Sequence, residues 1–336
     1  MATVTRKGPV TFWLGVHHPN WLSQAAGLFV SHRTLRSLRR LPRARGHWTL
    51  DSGGFTELSL TGDWQTSPRE YVTAVRRYRR DVGHLAWAAP QDWMCEAVML
   101  QRTGLTVAEH QQRTVANYRE LRDLAPELPI IPVLQGWTLD DYLRCVEMYD
   151  QAAIDLTTVG LVGLGSICRR QATGEIAAVV SRLAGLGLRL HGFGVKVSGL
   201  ARYAAGLASA DSMAWSLYAR HERRPLDSCT HASCANCLRY ALRWRATVVR
   251  RLDRISLGAT GLACEACGAC GTPLTQPERP ARGRPARFCS TACRVAAQLR
   301  RARGLPEATP RVIPGGRSQL DARFYGPGLP GVKYLA

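Results

Sequence analysis

Lysine is almost missing from this 336-residue chain: only three of its 45 basic residues are lysines, Lys7, Lys196 and Lys333. Acidic residues are scarce as well, 25 in all, which leaves a net charge of +20. No apolar run approaches the ~18 residues that a membrane span needs, so a transmembrane protein is excluded. The N-terminal stretch MATVTRKGPVTFWLG has neither an apolar core nor a small-residue cleavage site. A secretory leader is therefore not expected, and a cytoplasmic protein is. Low complexity is absent too. With 46% hydrophobic and 21% charged residues, the chain is neither fibrous nor disordered and can bury a proper core.

A GC-rich genome explains arginine over lysine, but not base over acid. An excess of this size favours a polyanionic partner. It is unevenly spread. Residues 221–336 hold 20 basic and 7 acidic residues, and residues 1–220 hold 25 and 18. Cysteine follows the same gradient: eight of the 11 lie between Cys229 and Cys293. Clustered cysteine without a secretory leader reads as metal ligation rather than disulfides. Cys229, His231, Cys234 and Cys237 put four ligands into nine residues, a set that tetrahedral zinc accepts. A second set, Cys267, Cys270, Cys289 and Cys293 with Cys264 as a spare, has the paired spacing of a zinc ribbon or treble clef. Its arginine-rich surroundings fit a phosphate grip and, about equally, a structural staple with a solvated basic face. Cys95, Cys145 and Cys168 read as small buried apolar residues.

From residue 9 to 220 apolar runs alternate with amphipathic stretches. Strands are expected over 10–18, 47–55, 84–92, 129–137, 157–167, 188–196 and 209–216, with an eighth hidden in 23–46. Helices are expected over 67–82, 106–124, 138–152, 173–187 and 197–208, with Thr138 as an N-cap. This rhythm implies a parallel sheet covered by helices, an α/β fold. Polar residues recur at the strand ends: Asp51, Asp92, Gln135, Gly165, His191 and Asp211. In a TIM (β/α)8 barrel these ends share one mouth, where chemistry sits. A doubly wound open sheet would need them only at its switch point. The expected organisation is a barrel over 1–225, a zinc knuckle and basic helix over 226–258, a second zinc module over 259–304 and an irregular tail over 305–336.

Singly, the strand-end residues are ambiguous. Asp51 in DSGGF reads first as a turn or cap aspartate. Asp92 lies near Trp87 and Trp93, which either stack on a base or pack in the core. Gln135 carries both a donor and an acceptor, the equipment for reading a nucleobase edge. His17 and His18 are open between packing and sugar contact, and Arg169 and Arg170 between a phosphate contact and an exposed pair.

As an ordered set, the segments DSGGF, LQGW, GLVGLGS and ADSMAWSLYAR resemble the boxes of the tRNA-guanine transglycosylase superfamily. FWLGVHHPNWL, APQDW, GLGSICRR and HGFGVK are similar to its deazapurine DNA-modification (DpdA-like) branch. The resemblance covers roughly residues 10–240. It implies base exchange without strand cleavage, through a covalent sugar–aspartate intermediate. It further implies Asp211 as nucleophile, Asp51 as general acid/base, and Asp92, Gln135, Gly163 and Gly165 as the base-binding residues. The incoming base would be a 7-deazaguanine, with 7-cyano-7-deazaguanine (preQ0) ranked first by analogy to the branch. The partner would be DNA, with tRNA as the alternative, alongside proteins of a DNA-modification system. A Zn2+ site just after the barrel is implied too, with His231 where the family has a cysteine and Cys237 in place of its distant histidine. The sequence departs from the superfamily at Thr56, Trp137 and the Trp-Met-Cys after Asp92, which argues against an ordinary queuosine enzyme. The reading from another class is a non-catalytic nucleic-acid-binding protein on the same scaffold.

Overall fold

The computed structural model describes residues 10–256 apart from 169, 171–173, 196 and 223. The chain divides into two units, Met1–Gly258 and Ala259–Ala336, and every described residue belongs to the first. The second cysteine cluster (Cys264, Cys267, Cys270, Cys289 and Cys293) and the tail lie outside the described residues.

Eight parallel strands alternate with helices. They are β1 (Thr11–Val16), β2 (Leu28–Ser31), β3 (Trp48–Asp51), β4 (Leu85–Ala88), β5 (Val133–Leu134), β6 (Val162–Leu164), β7 (Leu190–Gly192) and β8 (Leu207–Ser212). They form one sheet in the order β4-β3-β2-β1-β8-β7-β6-β5. Edge strand β4 is joined to the segment just before β5 by a single isolated parallel bridge, Ala88 with Ile130, where the Ala88 N–H donates to Pro129 O (3.0 Å) and the Ile131 N–H to Ala88 O (3.1 Å). Side chains cross the interior as well: Phe29 of β2 and Trp87 of β4 both contact His191 of β7. These strands lie three and five places apart in the order, and only a strongly curled sheet brings them together.

The helices are α1 (His32–Leu35), α2 (Gly54–Thr61), α3 (Pro68–Asp81), α4 (Ala97–Thr103), α5 (Val107–Leu124), α6 (Leu139–Gln151), α7 (Gly174–Gly185), α8 (Val197–Tyr203), α9 (Ala214–Glu222) and α10 (Leu238–Ser256). Local chemistry starts three of them at the expected residues. Ser67, Thr106 and Thr138 each close a capping box with an acid three residues on, Glu70, Glu109 and Asp141, satisfying otherwise orphaned N–H groups. The eighth strand expected inside 23–46 is β2. Three differences from the sequence reading stand out. The segment 47–55 ends as a strand at Asp51, and its Gly-Gly-Phe opens α2. The segment 129–137 keeps only two strand residues, because Pro129 and Pro132 cannot donate to a ladder. The helix begun at 197 stops at Tyr203, and Leu207 already belongs to β8.

Two apolar layers result. The larger lies between the sheet and the helices and includes Leu14, Val30, Trp48, Leu50, Leu164 and Trp215. The smaller fills the concave side with Trp13, Phe29, Trp87 and Ile131, joined by Phe193. That aromatic floor ends where the polar strand ends begin. α10 packs back onto β1 and α9, with Trp244 against Phe12 at 5.9 Å between ring centroids. No helix among the described residues is long and apolar enough to cross a membrane.

Candidate active site and metal centre

Asp51 is the last residue of β3, paired in register with Ser31 of β2. Its carboxyl accepts from the Ser31 hydroxyl and the Gly53 N–H, yet burial pushes its pKa up to about 6, and the Asp211 carboxylate adds to the rise. Asp92 lies in the loop after β4. Burial raises it to about 7 against the lowering bond from Gln135, and Asp51 raises it further. Desolvation dominates in both, and like charge reinforces it. Asp211, in β8 beside Trp13 of β1, is 4% exposed. Three carboxylates from three strand ends thus meet within electrostatic reach at one mouth.

Each is held by a separate scaffold. Asp92 Oδ2 accepts from Gln135 Nε2 at 2.5 Å. Gln135 Oε1 in turn accepts from the Ser166 hydroxyl at 2.6 Å. The same hydroxyl lies 2.9 Å from Glu96 Oε2 and accepts from the Cys95 N–H at 2.7 Å. Gln135 is fully buried. Its side-chain oxygen and one amide hydrogen are spent inside the protein. α5 supports this side of the mouth from below. Asn117 and Thr114 accept the N–H groups of Gln91 and Trp93, which flank Asp92, at 3.0 and 2.9 Å. Gln111 Nε2 donates to the Gln135 carbonyl at 2.6 Å. Glu57 of α2 accepts from the Gln65 and Thr66 N–H groups at 2.8 and 2.9 Å, and Gln91 Nε2 donates to Thr66 O at 2.6 Å. Helix α2, which follows Asp51, and the Asp92 loop are thereby tied together.

Asp211 Oδ1 accepts from the Gly194 N–H at 2.9 Å and lies 3.3 Å from His191 Nε2. Gly194 has φ +59°, and a Cβ there would fall 2.2 Å from Cys168 Sγ, so only glycine brings this amide to the carboxylate. At Gly165 a Cβ would lie 2.3 Å from Gln135 Nε2, and at Gly163 one would lie 2.5 Å from the Phe193 ring. The space beside these two glycines is therefore filled by Gln135 and Phe193.

Other expected residues fall elsewhere. Trp87 belongs to the floor, while Trp93 carries Arg113 over its face at 4.5 Å. Arg170 stacks on Trp137 at 4.1 Å and pairs with Glu175, so it is not an exposed cation. His17 packs on Trp215 and His18 on Trp21. Cys95 and Cys145 are buried as expected, but Cys168 is exposed, because the loop after β6 carries it to the rim. The residues unassigned from the sequence are His191, Ser166, Glu96 and the buried polar face of α5. A signal for the last was present: His110, Gln111 and Thr114 sit at core-facing positions of an amphipathic helix, where polar groups need partners.

Cys229, His231, Cys234 and Cys237 bring their ligand atoms within 4.8 Å of one another and could hold a metal ion. Cys229 Sγ and Cys237 Sγ are 3.8 Å apart, the edge expected of a tetrahedron with metal–sulfur bonds of about 2.3 Å. The donor set fits. The site also joins elements of the fold: Ser216 of α9 donates to Ala235 O at 2.7 Å, and α10 starts at the residue after Cys237.

Residues 9–281 match the family model for DpdA, DeoxyPurine in DNA protein A. The chain belongs to the DpdA family. This is a deazapurine DNA-modification family related to tRNA-guanine transglycosylase. No curated protein matches the chain. The match spans both the carboxylate mouth and the Cys3His knuckle, so the two sites lie within the DpdA region.

Asp92 is held above its unfolded pKa, so its contribution to stability is present below about pH 4 and lost as pH rises through about 7. Asp92→Asn should therefore stabilise the chain at pH 8 by on the order of 1–3 kcal/mol, with the gain shrinking toward pH 4.5. Thermal melts at both pH values decide it, and a variant no more stable at pH 8 contradicts the burial. At the metal centre, Cys234→Ser should cost about one equivalent of zinc by atomic absorption and lower Tm by roughly 5 °C or more.

Proposed function

We propose that this chain exchanges guanine in DNA for a 7-deazaguanine through a covalent aspartyl–sugar intermediate, as a pentosyltransferase. The observation that carries the reading is the convergence of Asp51, Asp92 and Asp211 above an aromatic floor. Asp211 is the nucleophile. Its carboxylate oxygen bonds to the deoxyribose anomeric carbon, and the bond from that carbon to guanine N9 breaks. The bonding pair leaves with the base, which takes a proton from Asp51. The entering base returns a proton to Asp51, its ring nitrogen attacks the same carbon, and the Asp211 carboxylate departs. Two displacements restore the configuration, as in retaining glycosidases. With a pKa of about 6, Asp51 can give and recover a proton near neutral pH.

Asp92 is the base reader: as a carboxylate it accepts the N–H groups of the guanine edge, with Gln135 locking its orientation. Gly163 and Gly165 complete the base-binding set by leaving room, Gly165 for the Gln135 amide. The target nucleotide has to leave the stack to reach this mouth. The proposal takes the curled eight-strand sheet to be a (β/α)8 barrel that closes near the Ala88–Ile130 bridge, with the site at the strand C-termini. Zn2+ in the Cys3His site, with no open position, is structural. 7-cyano-7-deazaguanine is the incoming base ranked first.

The test is incubation of the purified chain with duplex DNA, and separately with tRNA, in the presence of labelled 7-cyano-7-deazaguanine, followed by nucleoside mass spectrometry. Label should enter DNA. Asp211→Asn should lower exchange by about 10⁴-fold or more and abolish a denaturation-resistant protein–DNA adduct. Persistence of exchange in that variant, or label in tRNA alone, contradicts the assignment. Gly165→Ala should raise KM for the base by about 10-fold or more, because its Cβ displaces the Gln135 amide from a charged hydrogen bond.

A further inference from the structure

His191 has no part in the exchange as set out above, yet it is the side chain most closely built around the nucleophile. It is 0% exposed. Trp87 and Phe193 enclose the imidazole at 4.6 and 4.7 Å between ring centroids, both edge-on, and Phe29 lies at 6.1 Å. The cage fixes the plane of the ring. Both ring nitrogens then face a specific partner, Nδ1 the Ser209 hydroxyl at 2.8 Å and Nε2 Asp211 Oδ1 at 3.3 Å. His191 and Ser209 are register partners on β7 and β8, so the backbone itself sets this contact.

The donors and acceptors determine the tautomer. An ionised Asp211 requires a hydrogen on Nε2. In the neutral ring Nδ1 is then an acceptor, and the Ser209 hydroxyl donates to it. Asp211 Oδ1 thus receives two donors, His191 Nε2–H and the Gly194 N–H. Among the described residues, Asp211 Oδ2 accepts no hydrogen bond.

Building on the transglycosylase reading, we propose that His191 is a positioning residue that pins Asp211 Oδ1 and presents Oδ2 as the attacking atom. The same two donors act in both halves of the exchange. In the first, they fix the carboxylate plane so that one oxygen faces the anomeric carbon. In the second, Oδ2 is esterified to the sugar and Oδ1 is the ester carbonyl oxygen. As the carbon–Oδ2 bond breaks, its electron pair stays with the carboxylate, whose charge spreads onto Oδ1 where two preorganised donors already lie. Ser209 acts one step further out by holding the tautomer.

The test uses the full chain with duplex DNA and labelled deazaguanine. His191→Leu removes the donor and keeps an apolar filling. It should lower kcat about 100-fold while KM for the base stays within about 2-fold. His191→Gln places an amide N–H near the Nε2 position and should recover activity to within about 10-fold of the parent. Equal loss in both variants, or a KM effect in place of a kcat effect, overturns the proposal. Ser209→Ala, a smaller change for the fold, guards against misfolding of the leucine variant. It should lower kcat about 3- to 10-fold at unchanged KM, and an unchanged kcat in the folded protein counts against the proposal. Nitrogen-15 NMR of the His191 ring reads the arrangement independently of activity. A hydrogen on Nε2 is expected, and one on Nδ1 alone overturns the proposal even if the parent exchanges no base. If the parent is inactive on DNA and tRNA while the ring carries its hydrogen on Nε2, the transglycosylase reading fails and the pinned geometry stands.

Discussion

Three carboxylates withdrawn from water at one mouth are the constraint on which the rest of the structure turns. Each ion loses hydration, and each raises the cost of ionising its neighbour. The protein does not cancel these charges with cations. Among the described residues no arginine forms an ion pair with Asp51, Asp92 or Asp211. Hydrogen-bond donors do the work instead: the Ser31 hydroxyl and Gly53 N–H for Asp51, the Gln135 amide for Asp92, and the Gly194 N–H and the His191 ring for Asp211. A guanidinium pair would hold an aspartate ionised and poor as a proton carrier. Hydrogen bonds from neutral groups leave Asp51 and Asp92 titrating near neutrality.

The donors need to be fixed for this to succeed, and much of the sequence serves that need. α5 turns a polar face inward, and Gln111, Thr114 and Asn117 hold backbone around Asp92 and Gln135. Ser166, at φ +53°, links Gln135 to Glu96 and to the backbone of Cys95. Opposite them, the β7–β8 register places His191 beside Ser209 and two register positions from Asp211. The aromatic floor beneath excludes water from this network and removes the alternative partners that would loosen it. The metal knuckle is bonded to α9, the helix that follows directly from the Asp211 strand. A metal ion held there would steady the end of β8 from outside the mouth.

The βα alternation and most strands could be read from apolar runs, because each run has a sheet face and a helix face to satisfy. β2 could not be read directly. Its four residues stand just before an arginine-rich stretch, 33–45, and only the need for an eighth strand pointed to it. α2, α4 and α9 were hidden for a related reason. They begin immediately after a strand or loop whose own signal is stronger, as where Gly-Gly-Phe continues from Asp51. At the site, Asp51 and Asp211 stand out as acids at the ends of apolar strands, where desolvation is costly, but singly they were ambiguous, and their expected roles came only from the resemblance of their segments to the transglycosylase boxes. His191 was visible as a strand-end residue but carried no assigned role, since one histidine in an apolar segment is compatible with simple packing. Ser166 and Glu96 left no trace, because they meet only through two loops separated by about seventy positions in the chain.

The acidity of the mouth also has to be reconciled with a chain of net charge +20. A fully ionised cluster would repel the phosphates of any nucleic acid whose base it must receive. Burial lessens that conflict. At neutral pH an Asp92 near 7 is about half protonated, and Asp51 near 6 carries a smaller protonated share. The mouth therefore presents less than three negative charges to an approaching strand. Just outside it, the Arg33 stem lies over Gly53, two residues from Asp51. Phe55 and Met213, which follow Asp51 and Asp211 closely in the chain, are 42% and 41% exposed. A cationic stem and apolar surface thus lie next to the acidic mouth. On the proposed reading, a polyanion is drawn to the protein as a whole, and a neutral, flat, hydrogen-bonding group freed from its stack gains by going further in.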